Sequence, residues 1–174
     1  MRRSFLIPTL FFALGCSEPV DMATAEANLT TQTEAIFQAT LKKDHGALAD
    51  LTHPKIVEMA GGRTGFIRKL KELETEFEAT GVSFVSMTPL GEPEVAQNSG
   101  DLYAVVRYEL RLGQGGVPIT STQAALFGYS ADGGQRWSFV DASGVGGDRD
   151  KLKQVLPDYP AALPVPAPSD TKLE

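Results

Sequence analysis

Three side chains of this sequence have the types and the settings for interior chemistry: His53, Tyr108 and Asp141. An imidazole moves protons near neutral pH. A phenol donates a hydrogen bond to a ligand oxygen. A carboxylate drawn into an apolar site has its pKa raised and can act as a general base. In RWSFVDA, Trp137, Phe139 and Asp141 alternate, so they share one strand face. Asp141 therefore either ends an apolar face inside a cavity or marks where the strand reaches solvent before ASGVGG; the solvent reading is the simpler. Tyr108 lies in the inward set of DLYAVVRYELRL, where it meets a ligand or packs in a core. Tyr103 and Tyr129 are further phenol donors. His53 precedes Pro54 and reads first as a helix cap or loop residue, and second as a proton shuttle at a pocket mouth. His45 falls in a polar link and is expected to be exposed. No HExxH, CxxC or carboxylate–histidine cluster is present, so neither a metal site nor a cofactor is expected. GQGG and GVGG lack the spacing of a phosphate loop.

The elements that must hold these residues come helices first, strands second. Leu29, Thr33, Ile36, Phe37, Thr40 and Leu41 recur at helical spacing, which predicts a helix over residues 24–43. Asp44 caps a short second helix carrying Leu48 and Leu51. Pro54 suits the first position of a third, and Gly61-Gly62 stops it. A longer helix carries Phe66, Ile67, Leu70, Leu73 and Phe77 on one face, with Gly81 at its end. Its charge run KELETEFE reads as a solvated face. Beyond Gly81 the period becomes two. Strand-like VSFV and GEPEVAQ lead to DLYAVVRYELRL, where Leu102, Ala104, Val106, Tyr108, Leu110 and Leu112 face one way. Arg107, Glu109 and Arg111 face the other, which predicts a half-buried strand. VPITSTQAALFGYS is apolar on both faces, as a central strand would be. Short turns between these segments imply antiparallel pairing. The fold class is α+β.

The chain has 174 residues and a formal net charge of −6. An acidic domain is a poor nucleic-acid partner, because that binding rests on neutralising phosphates. The single cysteine, Cys16, follows two arginines and an apolar run from Phe5 to Leu14. That run is far shorter than the roughly 20 residues a membrane-crossing helix needs, and the pattern is that of a signal peptide. Ala13-Leu14-Gly15-Cys16 resembles a bacterial lipobox. The resemblance implies cleavage after residue 15 and lipidation of Cys16, with residues 16–23 as lipidated tether and the membrane reached through that lipid. Ser17, in place of the Asp that retains lipoproteins at the inner membrane, implies a cell-envelope protein at the outer membrane. At the other end, residues 157–174 hold five of the eleven prolines. They are expected to form an extended, unpacked and dispensable tail. This leaves residues 24–156 as one domain.

The element order, with LTHP, EMAGG and YSADGGQRWSFVDASG, resembles the nuclear-transport-factor-2-like superfamily over about residues 24–145. The whole stretch is similar to small exported bacterial members. The resemblance implies N-terminal helices packed in the hollow of a curved antiparallel sheet, a cone with a pocket. Catalytic members use an inward carboxylate or histidine with a polar partner, and only His53, Tyr108 and Asp141 fill such roles here. SADGGQRW also matches the Asp-box hairpin, S-x-D-x-G-x-x-W. Its single copy implies a structural staple made by Ser130, Asp132, Gly134 and Trp137, with no sugar chemistry. Three functions follow. The first is a non-catalytic, membrane-tethered domain binding a small apolar ligand or another protein. The second is an isomerase or dehydratase with Asp141 as base and His53 or Tyr108 polarising a carbonyl. The third is a dimerisation scaffold, a homodimer with a filled cone and an apolar outer sheet face.

Overall fold

The computed structural model describes residues 20–115 and 117–172. The signal segment and Cys16 lie outside the described residues.

Four helices come first: α1 (Met22–Leu41), α2 (His45–Leu51), α3 (Pro54–Met59) and α4 (Gly62–Ala79). Helix α1 starts two residues before the expected position because the Asp21 carboxylate accepts from the Thr24 amide and from its hydroxyl, at 3.3 and 2.7 Å. Asp44 caps α2, accepting from the Ala47 amide at 3.0 Å. Pro54 opens α3, where its missing N–H costs nothing.

Strands β1 (Val82–Pro89), β2 (Glu94–Asn98), β3 (Asp101–Gln114), β4 (Val117–Ser130) and β5 (Ser138–Asp141) follow. The pairings among these strands are antiparallel, with β1-β3-β4-β5 as the main order and β2 also on β3. The architecture is mixed α+β, with the helices ahead of an antiparallel sheet. Register breaks in β1 between Phe84 and Ser86, and in β3 between Leu112 and Gly113, are bulges of the kind that bend strands.

One face of the sheet meets the helices. Leu102, Ala104, Val106, Tyr108 and Leu126 pack with Leu29, Ile36 and Phe37 of α1, and with Trp137 and Phe139. This matches the inward set expected for β3. The opposite face differs from expectation. Residues 102–106 are buried on both sides, because Tyr103, Val105, Ala125 and Phe127 lie under Ala142, Val145, Leu152, Leu156, Tyr159 and Leu163. The cover consists of a 3-10 turn (Ala142–Gly144), helix α5 (Arg149–Val155) and the segment after it.

The expectation of an unpacked tail over residues 157–174 is therefore corrected. Tyr159 and Leu163 are buried, and Ser169–Lys172 forms a sixth strand, β6, on the edge of β4. Prolines deny a segment regular pairing, but they do not stop the apolar side chains between them from docking. Arg149 holds the segment down. Its guanidinium donates to the carbonyls of Pro160 and Leu163 and lies 5.5 Å from the Tyr159 ring. The Tyr159 hydroxyl donates to Pro164 O at 2.8 Å, and the Asn98 amide to Asp158 O at 2.7 Å.

Candidate ligand-binding site

The apolar stripe of α4 closes onto the sheet only in part: Phe77 meets Phe84 of β1 with ring centres 5.4 Å apart. Leu73 and Phe77 remain 52% and 39% exposed. With Phe66 and Leu70 they form one wall of a cavity of about 780 Å³. Ile36 and Phe37 of α1 stand opposite, and Tyr108, Leu110, Ala124, Leu126 and Phe139 make its floor. Ligand sites of drug-sized molecules span roughly 300–1,000 Å³ and are mainly apolar with a few placed polar groups. This cavity fits both descriptions.

Two groups of side chains hold every charged residue of this lining except Lys151. In the first, the Tyr108 hydroxyl donates to Asp141 Oδ2 at 2.7 Å, and the Ser143 amide donates to Oδ1 at 2.8 Å. The register explains the meeting. Tyr108 pairs with Ala124 of β4 and Asp141 with Leu126, so the two side chains reach diagonally across one strand. Burial, and then the Asp141 carboxylate beside it, push the Tyr108 phenol well above its ordinary pKa, so it stays a donor. Asp141 itself is exposed, as the solvent reading has it, and yet it lines the cavity. The solvent reading is the one this exposure supports, since β5 ends at Asp141.

The second group is Lys43, His45, Glu74 and Glu78. The Lys43 ammonium lies 2.8 Å from Glu74 and 2.7 Å from Glu78, and His45 Nε2 lies 3.0 Å from Glu74. The hydrogen bond from Lys43 is the main cause that holds the Glu74 carboxyl below its usual range. One expectation is corrected here. His45 is not exposed: its side chain is only 14% accessible and faces the cavity. The charge run KELETEFE is a solvated face as expected, exposed throughout except for half-buried Glu74, and from it Glu74 and Glu78 also border the cavity. The sequence signal was their spacing of four, which stacks both on one side of α4.

His53 stands apart. It caps α3, with its ring Nδ1 accepting from the Lys55 amide at 3.3 Å, and its ring meets Tyr129 at 5.3 Å. It does not line the cavity. Burial, and then Lys55, lower its imidazole pKa, which keeps the ring neutral and able to accept. Tyr129 is likewise turned away, donating to Asp101 Oδ2 at 2.8 Å, and burial and that carboxylate push its phenol up to about 12. Of the three candidate residues, the fold unites Tyr108 and Asp141 and leaves out His53.

The SADGGQRW hairpin lies away from the cavity and docks on α1. Asp132 Oδ1 accepts from the amides of Gln135 and Arg136 and from the Ser130 hydroxyl, at 3.1, 2.9 and 2.9 Å. Ser130 Oγ in turn accepts from the Gly134 amide at 2.9 Å. Gly134 has φ +86°, and a Cβ there would overlap Ala25 of α1, so glycine is required twice over. Trp137 is 3% exposed, and its indole donates to Ala25 O at 3.2 Å. Ser130, Asp132, Gly134 and Trp137 thus form a bracket between sheet and helix.

Among the described residues, no three His, Cys, Asp or Glu side chains gather as a metal site would require. Among them, too, no helix is long and apolar enough to cross a membrane. Fold and site together describe a mixed α+β domain with one large apolar cavity carrying a tyrosine–carboxylate pair. Compared with protein families, curated proteins and solved structures, the chain matches none.

Proposed function

We propose that this protein is a lipid-anchored, non-catalytic binding domain of the bacterial cell envelope, and that it takes a small apolar ligand. The observation that carries the reading is the cavity of about 780 Å³ with an apolar lining. The helices-then-sheet order and the placement of that cavity between them support a nuclear-transport-factor-2-like cone. An enzyme of isomerase or dehydratase type is the second reading, and the Tyr108–Asp141 hydrogen bond at the cavity wall favours it. Two facts weigh against it. Asp141 is exposed rather than buried in the apolar lining, and His53 is elsewhere. A dimerisation scaffold needs a filled cone and a bare outer sheet face. Here the hollow is open, and the apolar part of the outer face, at Tyr103, Val105, Ala125 and Phe127, is covered by α5 and the C-terminal segment, while Arg107 and Arg111 beyond it are exposed.

The fluorescent probe N-phenyl-1-naphthylamine tests the binding reading. It is expected to bind with saturable enhancement. Ala124→Trp, which places an indole in the cavity floor, is expected to weaken it at least about tenfold, a change of about 1.4 kcal/mol. Saturable binding that ignores the substitution, or no binding, refutes the reading.

The anchor is tested separately. We propose lipidation at Cys16 and residence at the outer membrane, on the lipobox-like Ala13-Leu14-Gly15-Cys16 and on Ser17. Expressed in a bacterial host, the protein is expected to take up a clickable palmitate analogue and partition with membranes. Cys16→Ala is expected to abolish both. An unlabelled wild-type chain would sink the proposal.

A further inference from the structure

We infer that the cavity selects amphiphiles with a cationic head, a primary amine on an apolar chain, and rejects fatty acids of the same length. The inference rests on the ligand-binding reading above and adds the head-group chemistry. It starts from the charges around the cavity. Three carboxylates line it, Glu74, Glu78 and Asp141, against two ammonium groups, Lys43 and Lys151.

Lys43 is already shared between Glu74 and Glu78, so that end of the lining holds more acid than base. His45 also points its Nε2 at Glu74 rather than into the open space. An anionic head arriving there would meet two carboxylates whose single lysine is taken.

Asp141 is the sharper feature. Among the described residues no Lys, Arg or His nitrogen lies within 4.0 Å of its carboxylate. Its two partners, the Tyr108 hydroxyl and the Ser143 amide, are neutral donors that fix its orientation and leave its charge uncompensated. A carboxylate offers about four lone-pair sites, so two donors leave room for an incoming N–H. It is exposed and lines the cavity beside an apolar floor made by Tyr108, Ala124 and Leu126, the last its cross-strand partner. A chain laid on that floor brings its head to Asp141, where an ammonium completes a charge-assisted hydrogen bond and a carboxylate meets like charge. The formal net charge of −6 steers the same class of ligand.

Displacement of N-phenyl-1-naphthylamine from the full chain by decylamine, decanol and decanoate at pH 7, each below its aggregation threshold, tests this. Decylamine is expected to displace the probe at a concentration at least about tenfold lower than decanoate does, with decanol between. Asp141→Asn, which keeps the amide-accepting oxygen, is expected to lose most of that gap when each displacement is referred to the variant's own probe affinity. Equal displacement by amine and acid, or an unchanged gap in Asp141→Asn, overturns the inference and leaves the cavity reading standing. Tighter decanoate would assign the head to Lys151 and overturn it equally. Failure of the probe itself to bind removes the cavity reading and this inference together.

Discussion

Trp137→Ala is expected to cost about 3–5 kcal/mol of folding stability, the cost of emptying a large aromatic site in a core. The indole is buried between the sheet and α1. A Cβ at Gly128 would come within 3.1 Å of its ring, 3.3 Å of Ala104 and 3.4 Å of Leu29, so little free volume lets the site collapse. The backbone amide of Trp137 also donates to Gln32 of α1 at 2.7 Å, and the Asn28 side chain donates to Gly134 O at 3.0 Å. The hairpin thus carries both packing and polar contacts of the helix. Trp137→Phe keeps most of the volume and loses the indole donor, and is expected to cost only about 1–2 kcal/mol.

Asp132→Ala, which strips the acceptor from four donors, is expected to cost about 1–2 kcal/mol. That loss carries a pH signature. Burial alone would raise the Asp132 carboxyl, but the amide and guanidinium of Arg136 and the Ser130 hydroxyl outweigh it and hold its pKa below the ordinary value. A carboxyl depressed in the folded state adds stability that is complete above its unfolded value, about 3.9, and is lost as pH falls through the folded value. Urea unfolding at pH 7 and down to pH 3 measures these effects. If Trp137→Ala costs no more than a surface substitution, roughly 0.5 kcal/mol, the hairpin is not a bracket.

The second large effect is expected at the other end of the chain. Deleting residues 157–174 removes Tyr159 and Leu163, each buried to within 4% on the outer sheet face. At about 1.5–3 kcal/mol for each buried apolar side chain, the loss is about 3–6 kcal/mol. For a domain of this size that lowers the melting temperature by roughly 10–20 °C. The deletion also bares Phe127 and Tyr103, whose rings lie 5.7 and 6.0 Å from Tyr159. The truncated protein should therefore self-associate on heating. Removing residues 169–174 alone strips only β6, whose described side chains are exposed, and is expected to have a much smaller effect. A full deletion that leaves the melting temperature within about 5 °C of the intact chain, a change of about 1–2 kcal/mol, would show that the docking is incidental.

These two ends of the molecule divide what the sequence determines from what the tertiary structure decides. Features set by residues three or four apart are written in the chain. Asp44 and Pro54 start their helices, and Gly81, at φ +69°, follows the end of α4. The Ser130–Trp137 bracket is equally local, because every acceptor of its turn lies within four residues of its donors. The inward face of β3 is legible too, since alternation names the residues that avoid water. Contacts between distant segments leave no such mark. Whether the second face of β3 is covered depends on residues some fifty positions later, and a proline-rich run reads the same docked or free. An apolar helical stripe likewise reads the same whether it fills a core or walls a cavity. Only the spacing between α4 and the sheet leaves Leu73 and Phe77 facing open space. The meeting of Tyr108 with Asp141, and of His45 with Glu74, follows from strand register and helix packing. Those are fixed by the summed burial of the whole fold, not by the residues that meet.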